Sequence, residues 1–210
     1  AQKTFKKFLC NALRDLALGD DPDKSKEFQY NKILAILVDS FLARQDIQDL
    51  YDAAFDDGFG SEAWQRMPTL KHFAEYLKVE NLPELLRTPE VERSIKEMSL
   101  SIQAILARPI GDAISRPSTF RSSSKLTVVA MGGLSGNAEA MPLALCAAAF
   151  VLSSSLANDR TLFIGDESSY LANFDAYMQI VASFFSGGRK MGVWCHLLLQ
   201  SFENLSKSRH

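Results

Sequence analysis

The amino-acid sequence predicts an α/β protein in which an all-helical insertion domain, residues 1–115, precedes a partial parallel sheet of about three strands, residues 116–210. Two observations support this division. The first part holds most of the charged side chains, and its apolar residues recur at intervals of three and four, which indicates amphipathic helices. The second part is more apolar and alternates short β-branched runs with helical segments, an order that predicts parallel strands joined by right-handed crossovers.

The helices of the first part follow from this periodicity and from capping residues. The segment 1–17 carries one apolar stripe. The segment 30–43 is apolar around most of its circumference, as expected for the central helix of a bundle. Thr69 has the side chain and the position to cap the helix that follows it. Thr88 caps the clearest helix of this part, and Pro89 occupies its first turn.

The second part reads as strand, helix, strand, helix and strand. The strands are expected at 126–131, 161–165 and 192–200, and the helices between them at 140–157 and 170–185. Because the strands are continuous apolar runs, we expect both faces of the sheet to be covered.

The composition narrows the class of protein. The chain has 210 residues, 47% of them apolar, and a formal net charge of −2, so it lacks the basic field that favours nucleic acids. Its three cysteines are far apart, which fits a reducing cytoplasm better than a disulfide framework or a zinc site. The most apolar run, 140–152, spans about 13 residues, whereas a membrane helix needs about 20. We therefore expect a cytoplasmic protein.

Three polar residues lie where two of the predicted strands end. Asp166 and Glu167 follow the strand 161–165, and Gln200 ends the third strand. Ligands bind beyond the carboxyl ends of parallel strands, so these side chains are candidates for one site. Neighbouring acids on an extended chain point to opposite faces. One could therefore hold a metal ion through water while the other reaches a nucleophilic water, as in nucleotide hydrolysis. The alternative is a helix N-cap or a solvated turn.

Four segments together carry a family resemblance. They are "TLFIGDESSYL" (161–171), "SGGRKMGVWCHLLLQS" (186–201), "MPTLKHFAEYL" (67–77) and "KLTVVAMGGLSG" (125–136). As a set they resemble the second half of the ATPase core in conjugative and type IV secretion ATPases, in the FtsK/HerA group of RecA-like P-loop NTPases. The resemblance implies a helical insertion domain followed by the Walker B and sensor strands of a RecA-like core, with ATP and Mg²⁺ as cofactors of the intact protein.

The resemblance also implies roles for individual residues. Asp166 would hold the Mg²⁺ shell, Glu167 would polarise the attacking water, and Gln200 would sense the γ-phosphate. Arg189, with Lys190 as second choice, would reach the nucleotide of a neighbouring subunit as an arginine finger. The alternative for "GGRK" is a plain helix C-terminus, where glycines stop the helix and cations suit its negative end.

The sequence departs from the family pattern in three places. Gly165 replaces a bulky apolar residue, and Leu199 stands where Thr is common. No G-x-x-x-x-G-K-[ST] motif occurs, and the Gly-rich segment 132–141 lacks the Lys that such a loop needs. We therefore expect the distal piece of a longer ATPase, inactive alone, with the strand 161–165 between the other two.

The resemblance implies partners as well. These are the missing N-terminal P-loop portion, further copies of the chain in a ring, and proteins of a secretion machinery at the inner face of a membrane. DNA is an open alternative as a transported substrate. The rival hypothesis is a non-catalytic protein-interaction module with a degenerate NTPase-like scaffold, which the missing P-loop favours for the isolated chain.

Other residues that could carry chemistry have simpler interpretations. His72 has no partner at metal-ligand spacing and is expected on the surface or in packing. His196 and Cys195 lie in a strand, so we expect a buried, hydrogen-bonded imidazole and an inert thiol. Trp64 and Trp194 are expected in the core or at an interface.

Overall fold

The computed structural model describes residues 2–19, 24–119, 126–128, 160–166 and 175–198, together with 142, 143, 145–147, 150, 151 and 155. In chain order the elements are α1 (Gln2–Leu18), α2 (Lys24–Leu42), α3 (Gln45–Asp57), α4 (Glu62–Gln65), α5 (Leu70–Tyr76), 3-10 turns at Val79–Asn81 and Glu84–Leu86, α6 (Pro89–Leu106), α7 (Pro109–Ile114), β1 (Thr161–Gly165), α8 (Asp175–Met191) and β2 (Val193–Leu197). The fold is α/β, with many helices and a small parallel sheet. In these ranges no helix combines the length and the apolar character needed to cross a membrane.

The chain divides into two compact units. The helical unit is Leu16–Thr127, and the strand-containing unit is Ala1–Asp15 together with Val128–His210. Most of α1 thus groups with the strands, whereas the division drawn from sequence at residue 115 places it with the other helices. The amphipathic pattern of α1 predicts that its apolar face is buried, but it does not indicate which elements bury it.

The helical unit is built around α2. Its residues Leu34 and Leu37 are fully buried, as are Met98 and Ile102 of α6. This agrees with the nearly continuous apolar surface predicted for a central helix. The ring of Phe41 meets that of Phe73 edge to face, with centroids 5.5 Å apart, a favoured aromatic geometry.

The start of α5 is held by a capping box in which a histidine takes the usual place of Glu or Gln. Thr69 is the N-cap, as predicted, and its backbone N–H donates to Nδ1 of His72 over 3.0 Å. This bond satisfies a backbone donor at the helix entrance, as a glutamate does in the common form of the motif. The predicted caps of α6 are confirmed too, because the Val91 N–H donates to Oγ1 of Thr88 and Pro89 opens the helix.

One surface ion pair links α5 to α7. The Nζ atom of Lys71 lies 3.0 Å from Oδ1 of Asp112, and this hydrogen bond lowers the pKa of the Asp112 carboxyl. A lowered carboxyl pKa contributes stability above the ordinary aspartate pKa of about 3.9. That contribution is lost as the pH falls through the lowered value.

The sheet pairs β1 with β2 in parallel, which confirms the predicted direction of these two strands. In the register, Leu162 lies opposite Trp194 and Ile164 lies opposite His196. The expected strand 126–131 differs from the structure, because residues 126–128 have no strand geometry and 129–131 lie outside the described residues. The order of three strands therefore stays a prediction.

One face of the sheet packs on α8. The ring centroids of Phe163 in β1 and Phe184 in α8 are 5.7 Å apart, and Val193 and Gly165 are buried. The other face carries exposed apolar side chains, so the expectation that both faces are covered is wrong for the residues described here. Both strands are apolar at nearly every position, so the sequence does not show which face is open.

Helix α8 runs further than the sequence predicts. The sequence predicts an end at residue 185, with "GGRK" as the stop, but Gly187 and Gly188 lie inside the helix, which ends at Met191. The stop is Gly192, whose φ of 70° is the left-handed conformation common just after a helix. The interpretation that Gly187 and Gly188 end the helix is therefore wrong.

Gly188 has a packing reason to be glycine. A Cβ atom there would lie 2.6 Å from the backbone carbonyl oxygen of Val193, the first residue of β2. The last turns of α8 thus approach the chain of β2 too closely for any side chain. This close approach explains why a residue with poor helix propensity stands inside a helix.

Helix α1 contacts α8 within the strand-containing unit. Asn11 is buried, and its side-chain amide donates to the side-chain carbonyl oxygen of Gln179. Arg14 is also buried and forms an ion pair with Asp15, with Nη2 and Oδ1 2.5 Å apart. Polar groups buried on α1 are therefore paired, as burial requires.

Gly188→Ala tests the close approach of α8 and β2. In an unobstructed helix this change stabilises by about 1 kcal/mol, but here the clash with a backbone atom should destabilise by about 1–3 kcal/mol. Urea unfolding followed by Trp194 fluorescence in a Trp64→Phe background measures the change. A stabilised protein would contradict the contact. Ala182→Gly, at an exposed position of the same helix, is the control and should lose only the propensity, about 1 kcal/mol.

His72→Ala tests the unusual capping box. The loss of the acceptor for the Thr69 N–H should cost about 1 kcal/mol, whereas His72→Gln should retain most of the stability. Urea unfolding followed by Trp64 fluorescence in a Trp194→Phe background gives the values. The exposed neighbour Glu75→Ala is the control and should change stability by less than about 0.5 kcal/mol. Equal losses for His72→Ala and His72→Gln would show that the ring nitrogen does not cap.

Candidate functional site

The carboxyl edge of the sheet is where β1 and β2 end side by side. The Leu198 N–H donates to the Gly165 carbonyl oxygen over 2.8 Å, so the two chains leave the sheet next to each other. Asp166 follows Gly165 directly and is exposed. Its carboxylate therefore lies at the edge where parallel sheets bind ligands.

Two of the sequence-predicted site residues follow this edge closely in the sequence. Glu167 comes one residue after Asp166, and Gln200 comes two residues after Leu198. Both lie outside the described residues, so their convergence with Asp166 stays a prediction. The pairing of β1 with β2 supports it, since it places both chains at one edge.

The described part of this edge offers one donor that suits magnesium. A carboxylate is a hard oxygen ligand, and Mg²⁺ usually keeps several waters and uses one or two carboxylates. Asp166 has the donor chemistry and the exposure for that role. No group of three or more His, Cys, Asp or Glu that could hold a metal ion is found among the described residues.

The candidate arginine finger lies at the opposite edge of the sheet. Only Gly192 separates α8 from β2, and its carbonyl oxygen accepts a bond of 2.8 Å from the Thr161 N–H, at the start of β1. Arg189 and Lys190 precede it in the last turn of α8. A five-residue strand spans about 16 Å, so this turn and Asp166 are separated by that length. The structure therefore does not bring Arg189 together with Asp166 in one chain.

The strand residues near the site differ partly from expectation. Cys195 lies on the α8 face, and its partial burial raises the pKa of its thiol, which agrees with an inert cysteine at neutral pH. His196 is exposed on the other face, so the expected buried imidazole is wrong. Trp194 is exposed on that face too, whereas Trp64 donates from Nε1 to the Ser118 carbonyl oxygen over 2.9 Å.

Among the described residues lie two clefts that the sequence does not indicate. One lies in the helical unit and has a volume of about 360 Å³, with Leu77, Ile95 and Leu100 among its lining residues. The other, of about 180 Å³, lies between α1 and α8 and includes Phe8 and Gln179. Neither contains a predicted site residue. Such clefts are lined by side chains from separate parts of the sequence, so no local motif predicts them.

Comparisons with models of protein families, with curated proteins and with solved structures returned no match to this chain.

A distance measurement tests the separation of the two edges. With Cys10, Cys146 and Cys195 replaced by Ser, spin labels on Asp166→Cys and Lys190→Cys should lie about 15 Å apart or more, because a full strand separates them. Pulsed electron paramagnetic resonance measures the distance between the two labels. The control pair, Asp166→Cys and Leu198→Cys, shares an edge at a strand spacing of about 5 Å and should show strong dipolar broadening. Similar distances for both pairs would contradict the described topology.

Proposed function

We propose that this chain is the distal half of a nucleotide-hydrolysing core, in an ATPase that powers conjugative DNA transfer or type IV secretion. One observation carries the proposal: Asp166 directly follows β1 at the carboxyl edge, next to the end of the parallel neighbour β2. This is the position at which P-loop NTPases hold the metal-binding acid of their Walker B strand. The finer assignment, a RecA-like core, rests on the sequence motifs.

Each residue at the carboxyl edge has a role in this proposal. Bound Mg²⁺ would neutralise charge on the β- and γ-phosphates of ATP. The Asp166 carboxylate would hold the metal ion through a bound water. Glu167 would orient the attacking water and take up its proton, and Gln200 would donate a hydrogen bond to the γ-phosphate. The phosphate cradle comes from a P-loop portion outside these 210 residues, since the chain has no Walker A motif.

The opposite edge supports an arrangement of several subunits. A cation in the last turn of α8 is about one strand length away from the Asp166 edge of its own chain. Arg189, or Lys190 as second choice, therefore acts on the nucleotide of a neighbouring copy, where it stabilises charge that develops on the transferred phosphoryl group. Such an arrangement requires a homo-oligomer.

The rival function is a non-catalytic interaction module. The missing Walker A motif favours it for the chain alone, because that motif supplies the backbone amides and the Lys that cradle phosphates. The two functions differ in what Glu167 does. Under the rival function a change at Glu167 has no effect on ATP turnover by any longer form of the protein.

The test uses a longer chain that carries a P-loop upstream of these residues. Glu167→Gln should lower ATP turnover by about 10²–10⁴-fold, because it removes a general base, and should leave the affinity for Mg-ATP unchanged. Steady-state hydrolysis and calorimetry give the two values. Glu75→Gln, at an exposed position of α5, is the matched control and should change neither. Unchanged turnover in Glu167→Gln would reject the assigned base.

Calorimetry on the 210-residue chain tests its incompleteness separately. We expect no Mg-ATP binding at concentrations that detect an affinity of about 100 μM, or about −5.5 kcal/mol. Clear binding would show that the chain carries its own phosphate cradle, and the proposal of a half-site would then fail.

A further inference from the structure

The smaller of the two clefts, which we call the interhelix cleft, combines one cation with polar and apolar side chains. Its volume is about 180 Å³, the space of about six water molecules in the liquid. The described residues that line it include one cation, three uncharged polar residues and an aromatic ring: Lys7, Gln179, Ser183, Ser186 and Phe8. No described acid lines the cleft, so the charge that it presents is positive and attracts anions.

The polar residues of α8 form one stripe on the side of the helix that faces away from the sheet. Gln179, Ser183 and Ser186 recur at intervals of four and three, so they share one side of the helix. Phe184 and Gly188, which meet the sheet, lie on the other side at about 100° per residue. The cleft is therefore separate from the proposed ATP site at the carboxyl edge.

A hydrogen bond between α1 and α8 marks one end of the cleft. The buried Asn11 side chain donates to Oε1 of Gln179. Lys7 lies one turn before Asn11, and Ser183 lies one turn after Gln179. The cleft thus extends from this bond over about one turn of each helix. The helical residues described between 142 and 155 belong to the same unit, and none of them lines the cleft.

The Asn11 bond leaves the N–H groups of the Gln179 amide available. Because Oε1 is the end of the amide that accepts from Asn11, the NH₂ group is the free end, and it donates to no described residue. The ammonium group of Lys7 likewise has no partner among the described residues. Both groups can therefore donate to a bound ligand.

The two serines add hydroxyl groups that a ligand can engage. Oγ of Ser183 donates to the Gln179 carbonyl oxygen over 2.7 Å. Oγ of Ser186 donates to the Ala182 carbonyl oxygen, also over 2.7 Å. Carbonyl oxygens inside a helix already accept a backbone N–H. The hydroxyl hydrogens can therefore turn to a ligand without leaving an unpaired acceptor.

The set of donors suits a carboxylate better than a phosphate. A carboxylate has one negative charge and two oxygens, which match one ammonium group and one amide NH₂ group. A phosphate monoester carries about −1.5 to −2 charges, and the described lining offers neither a second cation nor an arginine fork. Phe8 and Ile180 supply apolar wall for the body of the ligand.

We propose that the interhelix cleft binds a small organic carboxylate of about six to nine non-hydrogen atoms. The carboxylate group lies on Lys7 and Gln179, with the serine hydroxyls beside it, and the apolar body lies on Phe8 and Ile180. This binding is independent of nucleotide hydrolysis, because it uses the side of α8 that faces away from the sheet.

The test titrates the 210-residue chain with benzoate, followed by ¹H–¹⁵N nuclear magnetic resonance. The side-chain amide signals of Asn11 and Gln179 and the backbone signal of Ser183 report on the cleft. We expect saturable shifts of these signals with half-saturation near about 1 mM. Benzamide, which has a similar shape and no charge, should give no saturable shift below about 10 mM. Phenyl phosphate is the third probe and should bind more weakly than benzoate.

Variants of the cation separate a specific contact from a general effect of charge. Lys7→Gln, at an exposed position, should weaken benzoate binding by about 10-fold or more, because it removes a charge-assisted hydrogen bond. Lys7→Arg keeps the charge and the donors and should stay within about 3-fold of the wild type. Lys32→Gln, at an exposed position of α2 in the helical unit, is the matched control and should bind as the wild type does. Ser183→Ala should weaken binding several-fold.

Four results would overturn the proposal. In the first, benzoate gives no saturable shift of the cleft signals up to about 10 mM. In the second, benzamide shifts the same signals equally, so the cleft does not select an anion. In the third, Lys7→Gln binds benzoate as tightly as the wild type or Lys32→Gln does. In the fourth, phenyl phosphate binds more tightly than benzoate, so the ligand class is a phosphate.

Discussion

The packing of α8 across β1 and β2 is the contact on which the strand-containing unit depends. A parallel pair cannot be joined by a short turn, so the chain must leave β1 at one edge and return to begin β2 at the other. Helix α8 makes that return and packs on one side of the strands, where Gly165 and Val193 are buried and Phe163 meets Phe184. This connection places the carboxyl ends of both strands at one edge of the sheet and their amino ends at the other. It also covers one face of the sheet and not the other.

The edges and faces carry different kinds of side chain. The carboxyl edge ends in an acid, Asp166, and the amino edge lies beside a turn with two cations, Arg189 and Lys190. The last turn of α8 and Asp166 are thus about one strand length apart within a chain. The apolar groups divide in a similar way, because those on the α8 side pack against the helix and those on the opposite face of the sheet are exposed.

Local signals in the sequence predicted more of the fold than of the site. Thr69, Thr88 and Pro89 define helix starts through short-range geometry, and the structure confirms them. The predicted end of α8 is wrong because Gly188 packs closely against the backbone of β2. Local sequence rules do not include such a long-range contact. The exposed face of the sheet is not predictable from the sequence, because strands that are apolar at nearly every position show no alternation of apolar and polar residues. The site residues Glu167 and Gln200 were inferred from motifs, and their geometry stays a prediction.

The two glycines of α8 have a consequence for local motion. Each costs about 1 kcal/mol of helix propensity relative to alanine, so the last turns of the helix have little stability of their own. Their order then comes from contact with the start of β2, which Gly188 brings close. A displacement of β2 would release this turn, and its amide protons would then exchange with solvent. The backbone of Arg189 would no longer be held in the helix. The position of the cation is thereby coupled to the position of a strand rather than to the helix that carries it.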